Sequence, residues 1–288
     1  MLAENQGNAM ARAIHDALGW ARDAVQGRII AQIFAQRVHG IVLKGGMAFR
    51  VQHPKWARAT KDIDLDADQD LSMATLQRTV RQAIKQATSD GLIRDVVITE
   101  PKQTDTTARW KISGLYPRTG QTLNLTVEVS RREHIQDEEF TETYYGPDEP
   151  EMVRVYTDRS LAFKKVKAFL SPTREAPRDI SDLFLLIQAH VEPPVEELRR
   201  WFARGGVPRL EEIWEKIERM DKEAFKAEVL PSLPPSVDGQ LFYQDWDEMR
   251  VTVGTHVERW VQQALARQGE TAPTDAERRV PSVCGAHR

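Results

Sequence analysis

The hydrophobic pattern of the chain changes its period in the middle, and this change limits the folds that the chain can adopt. Before residue 90, apolar residues recur mainly at helical spacing around short strand-like runs. Residues 94–157 are instead rich in Val, Ile, Thr and aromatic residues, with Pro, Gly and Asp clusters between them, as in strands and turns. From Arg159 onward the spacing is helical again. This order predicts an α+β fold in which a small mixed β-sheet with flanking helices precedes a helical half.

The same pattern predicts the individual elements. A helix over residues 8–38 is expected in two pieces, because Gly27 interrupts its pattern. The remaining predicted elements are strands at 41–43, 62–66, 94–99, 106–114, 121–130 and 152–157, and helices at 47–51, 71–89 and 244–267. We therefore expect an α+β domain over residues 1–158, a helical domain over 159–268 and a disordered tail over 269–288.

Composition narrows the class of protein. With a formal charge of −3 over 288 residues, the chain has no global positive field, so contact with nucleic acid would need a local patch. The single cysteine, Cys284, excludes an intrachain disulfide and a thiolate zinc site. The sequence contains no apolar run of membrane-spanning length, and its start lacks the hydrophobic region of a signal peptide. We therefore expect a cytoplasmic protein with no membrane partner.

The most informative motif is the alternating stretch Asp62-Ile63-Asp64-Leu65-Asp66. On a strand, Asp62 and Asp64 share one face, and their Cα atoms lie roughly 6.5–7 Å apart at a rise of about 3.3 Å per residue. Carboxylates placed in this way can hold one or two hard divalent cations. Two such cations, about 3.5–4 Å apart, can clamp the attacking and leaving oxygens of a phosphoryl or nucleotidyl transfer.

Two other interpretations of this motif are an exposed strand edge and a calcium loop. Alternating charges on an exposed strand are common, so the first remains open, although the five alternating aspartates between residues 62 and 70 repel one another without a cation. The calcium loop is excluded, because its sixth and twelfth positions hold Ala67 and Met73 where glycine and glutamate are required.

A second motif precedes the aspartates. A short strand ends at Leu43, Lys44 and the glycines Gly45 and Gly46 follow, and a helix is expected from Met47. Glycines let a phosphate chain approach the backbone, and a helix N-terminus offers free N–H groups to an anion. A plain turn is the alternative, and the chain contains no Walker loop. In combination, the glycine turn and the aspartate strand would form a phosphate cradle beside a metal platform.

Together these motifs resemble a known family. Residues 43–50 (LKGGMAFR) and 58–65 (RATKDIDL) are similar to the signature of the AbiEii/AbiGii-type nucleotidyltransferase toxins, which belong to the DNA polymerase β-like nucleotidyltransferase superfamily. The resemblance extends over about residues 25–190. The family commonly has Ser or Thr where this chain has Met47, so a phosphate-binding hydroxyl is missing while the backbone N–H groups remain.

The resemblance implies a third carboxylate on a strand beside the aspartates. The segment 123–129 alternates in polarity, and Glu128 lies on its polar face with Asn124 and Thr126. Glu128 is therefore the candidate for a third metal ligand or for the base that accepts a proton from the acceptor hydroxyl. An exposed strand glutamate remains the alternative.

The family also has a lysine on a helix, which corresponds here to the stretch SLAFKKVKA. At about 100° per residue, Lys165 lies at the edge of the apolar stripe, Lys167 lies further out and Lys164 lies on the far side. We therefore expect Lys165 to face the aspartates across a polar cleft and to bind the triphosphate. In the free protein it is expected to pair with Glu128 or Asp179. Lys164 and Lys167 are expected to point away or to the rim.

The last motif, PRDISDL at residues 177–183, is similar to the family's R-D-x-x-D-L. Asp179 flanks the buried stripe of the predicted helix and Asp182 lies nearly opposite it. Asp179 is therefore favoured as the site residue that orients Lys165 or Arg178. The alternative is an ordinary helix start, where an acidic residue in the first turn is favoured by the helix dipole.

The resemblance implies a metal-dependent enzyme that transfers an NMP from an NTP to an acceptor. The three carboxylates would hold Mg²⁺ or Mn²⁺, and the glycine turn and Lys165 would hold the NTP, with further contacts from Lys44, Arg58 and Arg178. It also implies a toxin of a bacterial toxin–antitoxin or abortive-infection system, with a cognate antitoxin and an RNA acceptor such as tRNA. A small-molecule nucleotidyltransferase and an inactive binding scaffold, which Met47 favours, remain the alternatives.

Overall fold

The computed structural model describes residues 2–132, 134–205, 208–234 and 236–266. Its architecture confirms the α+β class, because a seven-stranded mixed sheet with flanking helices is followed by a helical half. The tail expected over residues 269–288 lies outside the described residues. In the described part of the chain, no helix has both the length and the apolar character needed to span a bilayer.

Seven strands form one sheet. In chain order they are β1 (Ile41–Lys44), β2 (Asp62–Ala67), β3 (Arg94–Thr104), β4 (Thr107–Tyr116), β5 (Gln121–Ser130), β6 (Phe140–Tyr145) and β7 (Glu151–Tyr156). Their spatial order is β3-β4-β5-β2-β1-β7-β6. β1 pairs antiparallel with β2 and parallel with β7, and β2 pairs parallel with β5. β4 pairs antiparallel with both β3 and β5, and β6 pairs antiparallel with β7.

Helices precede, interrupt and follow these strands. They are α1 (Leu2–Ala35), α2 (Gly45–Gln52), α3 (Met73–Ala87), α4 (Asp158–Phe169), α5 (Pro177–Gln188), α6 (Val195–Gly205), α7 (Leu210–Arg219), α8 (Lys222–Glu228), α9 (Gly239–Gln244) and α10 (Trp246–Ala266). Capping explains where α3 and α4 begin. The hydroxyls of Ser72 and Thr157 accept hydrogen bonds from the backbone N–H groups of Thr75 and Ser160.

The first core lies between α1, α3 and one face of the sheet. Alternate residues of the strands point into it, so Ile63, Val127 and Trp110, which are register neighbours on β2, β5 and β4, are all fully buried. α1 also contacts α3, β5 and β7. Because this face is covered, the polar alternate residues of β2, β4 and β5 lie on the opposite face.

A second core joins the helices of the C-terminal half. Phe225 of α8 stacks on Trp246 of α10 with the ring centroids 4.5 Å apart, and Trp260 is fully buried in the same cluster. These aromatic side chains therefore pack inside the protein, where no base can stack on them. α4 bridges the two cores, because Leu161 belongs to the first and Val166 to the second. A domain boundary at residue 158 stays a prediction.

Three elements differ clearly from their prediction, and one of them, β3, continues to Thr104 instead of ending at residue 99. The sequence pattern does not predict β6, because β6 is an edge strand without a buried residue and is held by its pairing with β7. α1 is one unbroken helix and does not break at Gly27. A Cβ at Gly27 would lie 2.8 Å from Cδ of Pro147, so this glycine permits a close approach of another segment and does not end a helix.

Gly27→Ala should lower the free energy of unfolding by about 1–3 kcal/mol, because the added methyl group overpacks against Pro147. Gly19→Ala is the matched control in the same helix, since no atom lies within 4 Å of its Cβ position. It should raise the stability by up to about 1 kcal/mol through helix propensity. Urea unfolding followed by circular dichroism measures both variants, and equal effects would contradict the close contact at Gly27.

Candidate active site

Carboxylates project from one face of β2 and β5. In the parallel pairing of these strands, Asp62 lies opposite Thr126 and Asp64 lies opposite Glu128. Residues opposite each other share a face, and alternation along β2 adds Asp66 to the same face. The structure therefore brings Asp62, Asp64 and Glu128, the three carboxylates that the sequence motifs single out, to the same face of the sheet.

Asp64 occupies the centre of this group. Burial raises the pKa of its carboxyl above the ordinary value, and the charges of Asp62 and Glu128 raise this pKa further, while the ammonium of Lys44 acts in the opposite direction. Partial burial beside two like charges makes the ionised form costly unless another cation is near. Carboxylate oxygens are the ligands that Mg²⁺ prefers. Among the described residues, however, the three potential ligands whose atoms all lie within 4.8 Å of one another are Asp68, Asp70 and His134, so Asp62, Asp64 and Glu128 are spaced more widely than one closed set of ligands.

The glycine turn lies directly against Asp64. Gly45 has a φ of +66°, and a Cβ there would lie 2.6 Å from Oδ2 of Asp64, so only glycine fits. α2 begins at Gly45, and the side chain of its N-cap residue, Lys44, does not cap it. The first N–H groups of a helix are an anion-binding end. A backbone suited to phosphate therefore lies beside a carboxylate suited to metal.

Asp66 is buried and binds two lysines. Its carboxylate accepts hydrogen bonds from Lys44 Nζ at 2.5 Å, from Lys164 Nζ at 2.9 Å and from Tyr156 Oη at 2.9 Å. Burial acts to raise the pKa of Asp66, but the two ammonium groups outweigh it and hold this pKa below the ordinary value. Asp66 therefore stays ionised and holds both lysines at the β1 side of the site.

The expectation that Lys164 points away from the aspartates is wrong. Helical periodicity correctly places Lys164 off the apolar stripe of α4, but this other side of the helix meets the sheet. The ammonium of Lys164 lies 4.2 Å from the centre of the Tyr156 ring as well as on Asp66. The periodicity of one helix shows which of its sides is apolar. It does not show whether another part of the protein, here the polar face of the sheet, packs against the opposite side.

Lys165 lies on the inner side of α4 and is only 8% exposed. Its ammonium pairs with Asp182 and lies 3.6 Å from Asp179, so one of its two expected partners is found. The other expected partner, Glu128, instead accepts a hydrogen bond from Nε of Arg109 at 2.7 Å. Arg109 faces Glu128 across the antiparallel β4–β5 pair. The strand register is the signal that identifies this pair, and no motif marks it.

The prediction that Asp182 lies opposite the buried side of α5 is wrong, because Asp182 is 0% exposed. α5 contacts α4 on one side and α8 and α10 on others, so more than one face of this helix is covered. Asp182 binds Nε and a terminal nitrogen of Arg58, each at 3.1 Å, in addition to Lys165. Burial acts to raise the pKa of Asp182, but the two cations outweigh it and lower this pKa.

Asp179 is also buried, and it binds the guanidinium of Arg174 at 2.5 and 2.9 Å. Arg178, which Asp179 is expected to orient, is exposed. The arginine that Asp179 contacts is Arg174. Sequence reasoning misses Arg174, because the loop that contains it has no periodicity and no motif. Asp179 and Asp182 therefore both lie close to the ammonium of Lys165.

Asp182→Asn should lower the free energy of unfolding by about 3–5 kcal/mol at neutral pH, because Lys165 and Arg58 would lose their buried counter-charge. The pKa of Asp182 is lowered in the folded protein. Its contribution is therefore full above the unfolded pKa of about 3.9 and is lost as the pH falls through the lower folded value. Urea unfolding across this pH range should show the difference between wild type and variant shrinking toward acid.

Glu218→Gln, at an exposed position of α7, is the control for that substitution and should leave the stability nearly unchanged. If both variants were as stable as wild type at pH 7, the buried ion pairs of Asp182 would not contribute as described.

A mixed sheet with carboxylates on neighbouring strands, beside a strand–glycine–helix turn, is the arrangement that the sequence motifs predict for a nucleotidyltransferase. Residues 28–268 match the family described as "Nucleotidyl transferase AbiEii toxin, Type IV TA system". The match covers more than half of the chain, and the protein belongs to this family. It is a nucleotidyltransferase of the toxin–antitoxin type, for which membership implies an NTP substrate and a cognate antitoxin.

Two solved structures from Helicobacter pylori are similar to this chain. JHP933 has a TM-score of 0.55 and 18% identity, and the alignment covers 87% of this chain and 97% of that chain. A second structure, described as a candidate nucleotidyltransferase, has a TM-score of 0.55 and 18% identity, with 82% and 97% covered. At this identity the likeness shows the fold alone. No curated protein matches the sequence.

Proposed function

We propose that the protein transfers a nucleoside monophosphate from an NTP to an RNA acceptor, such as tRNA, with release of pyrophosphate and with Mg²⁺ or Mn²⁺ held by Asp62, Asp64 and Glu128. The observation that supports this most directly is the register of β2 and β5, which sets Asp64 beside Glu128 and against the turn at Gly45. The proposed setting is the cytoplasm, where NTPs, RNA and an antitoxin are available.

We assign the three carboxylates to a divalent cation because their negative charges lie close enough to repel one another. Asp62 and Glu128 both raise the pKa of Asp64, and a cation among the three would remove this repulsion. Arg109 already balances part of the charge of Glu128, so the site has one carboxylate that is shared with a guanidinium. A divalent cation, when bound, polarises phosphoryl oxygens and offsets the charge that develops during transfer.

Positive side chains surround the β1 side of the site, and we assign them to the triphosphate. Asp66 holds Lys44 and Lys164, and Asp182 holds Lys165. An ammonium has three N–H donors, so a lysine held by one carboxylate retains donors for phosphate oxygens. The buried carboxylates would fix these lysines before the NTP binds, which lowers the cost of ordering them.

Arg58 is assigned a positioning role in this set. It shares Asp182 with Lys165 and is largely buried, so it would act on the nucleotide through that pair. Arg174 has the same relation to Asp179. Arg178 lies exposed on the first turn of α5, and we leave it out of the nucleotide-binding set.

The residues then have separate tasks in the transfer. The acceptor hydroxyl oxygen forms a bond to the α-phosphorus of the NTP, and the bond from that phosphorus to pyrophosphate breaks. Glu128, on the β5 side of Asp64, would accept the proton of the hydroxyl. Lys44, Lys164 and Lys165 would offset the negative charge that collects on the pyrophosphate.

Met47, which favours an inactive scaffold when only the sequence is considered, has a packing function. Its side chain is 1% exposed and belongs to the first core. The turn keeps the backbone N–H groups of Gly45 and Gly46, and these are the groups that our proposal requires. The proposed nucleotide binding therefore rests on the backbone N–H groups of the turn and not on a hydroxyl at position 47.

Asp62→Ala/Asp64→Ala should abolish Mg²⁺-dependent transfer of label from α-labelled NTPs to total cellular RNA, because both proposed β2 ligands of the cation are removed. Its free energy of unfolding should stay equal or rise slightly, since the repulsion within the carboxylate group is relieved. Gel autoradiography with each of the four NTPs measures transfer. Mg²⁺ should also raise the Tm of wild type but not that of the double variant, which is a readout independent of activity.

Asp105→Ala is the matched control, because Asp105 is exposed and lies in the turn between β3 and β4, outside the group of carboxylates on β2 and β5. It should transfer label like wild type. Transfer by the double variant at the wild-type rate would contradict the metal-site assignment. Label that appears only on small molecules would replace RNA by a small-molecule acceptor.

Expression in a bacterium without the cognate antitoxin should slow growth, and Asp64→Ala should remove this effect because the proposed transfer requires Asp64. Growth curves at matched protein levels, checked by immunoblot, measure the difference, with Asp105→Ala as a variant that stays toxic. Equal growth inhibition by wild type and Asp64→Ala would show a burden that is unrelated to catalysis.

A further inference from the structure

A groove lies beside Asp62 on the polar face of the sheet, on the side away from the glycine turn. Asp62, Thr126 and Lys111 are register neighbours on β2, β5 and β4 and line this groove together with Lys61. Its volume is about 460 Å³. This lies within the range of roughly 300–1,000 Å³ that sites for small ligands occupy, so the groove can hold one unit of a longer chain.

The groove is positively charged apart from Asp62. Lys61 and Lys111 are exposed, and Asp62 is the one acid among the described residues that line it. Within the described part of the chain, neither ammonium lies within ion-pair distance of a carboxylate, whereas Lys44 and Lys165 are bound by buried acids. These two lysines therefore have their charge available to an anion from outside the protein.

Uncharged groups complete the lining. Ser113, Asn124 and Thr126 contribute hydrogen-bond donors and acceptors, and Val97 contributes apolar surface that is 58% exposed. Phosphate contacts from lysine and polar contacts to sugar and base are ordinary components of binding to nucleic acid. Because the formal charge of the chain is −3, contact with nucleic acid requires a local positive patch, and Lys61 and Lys111 provide one.

We propose that this groove binds the acceptor as a single-stranded polynucleotide, with Lys61 and Lys111 on its phosphates and its reacting hydroxyl at Asp62. The orientation rests on the proposed transfer reaction. In such a transfer the attacking and leaving oxygens lie roughly in line on opposite sides of the phosphorus. Because Lys44 and Gly45 lie on the β1 side of β2, the acceptor reaches the phosphorus from the β5 side, where the groove is.

Binding of a short, fluorescein-labelled single-stranded RNA of mixed sequence tests the groove. Fluorescence anisotropy in a salt series gives the affinity and its salt dependence for wild type and for Lys61→Ala/Lys111→Ala. The double variant should bind about tenfold or more weakly at low salt. The slope of log K against log salt should fall in magnitude by about 1.4, since each phosphate contact on a single strand contributes about 0.7.

Lys85→Ala is the matched control, because Lys85 is an exposed lysine of α3, on the covered side of the sheet. It should leave the affinity and the slope unchanged. Single-stranded DNA of the same sequence forms a second arm, which separates phosphate binding from recognition of the ribose 2′-hydroxyl. Urea midpoints for all variants check that each one is folded.

Equal affinities of wild type and the double variant would overturn the proposal, and so would failure of wild type to bind either oligonucleotide at low salt. The transfer assay keeps the two proposals apart. RNA binding that depends on Lys61 and Lys111 without any transfer to RNA would refute the proposed reaction and support the groove. Transfer to RNA that is equal in wild type and double variant would support the reaction and refute the groove.

Discussion

The parallel pairing of β2 with β5 is the constraint on which the rest of the site depends. It sets Asp64 opposite Glu128 although the two residues are far apart in the chain. A shift of the pairing by one residue would turn one of these carboxylates toward the apolar face. Ile63 and Val127 prevent such a shift, because both are fully buried in the core on that face. The packing of the apolar face of the sheet thus fixes which side chains of β2 and β5 lie on the polar face.

Buried carboxylates hold the lysines that surround the carboxylates of β2 and β5. These ion pairs also link the two halves of the protein. Asp66 on the sheet holds Lys164, and Asp182 on α5 holds Lys165, so adjacent residues of α4 are bound by different halves. Neither carboxylate could remain buried and ionised without its cations. The helical half therefore contributes to the proposed nucleotide site, because Asp182 holds the ammonium of Lys165.

Much of the fold and part of the site follow from local patterns. The alternation of Asp62 and Asp64, the polar face of Glu128 and the turn at Gly45 are all visible in the sequence, and the structure places them together. Strand alternation and glycine conformation are properties of a few consecutive residues, which is why they can be read in advance. The sequence does not predict the edge strand β6, because an exposed strand lacks the apolar alternation on which the prediction depends.

The sequence by itself determined the class of fold, the carboxylate strand and the glycine turn, because each depends on short-range geometry. Only the tertiary structure decided the ion pairs. Periodicity places Lys164 and Asp182 away from the apolar side of their helices, yet Lys164 contacts Asp66 of the sheet and Asp182 is fully buried, because other elements pack against those sides. Arg109 and Arg174 belong to no motif and become partners of Glu128 and Asp179 only through folding. A buried charge pairs with whichever opposite charge the fold brings near, and no local pattern of residues specifies that neighbour.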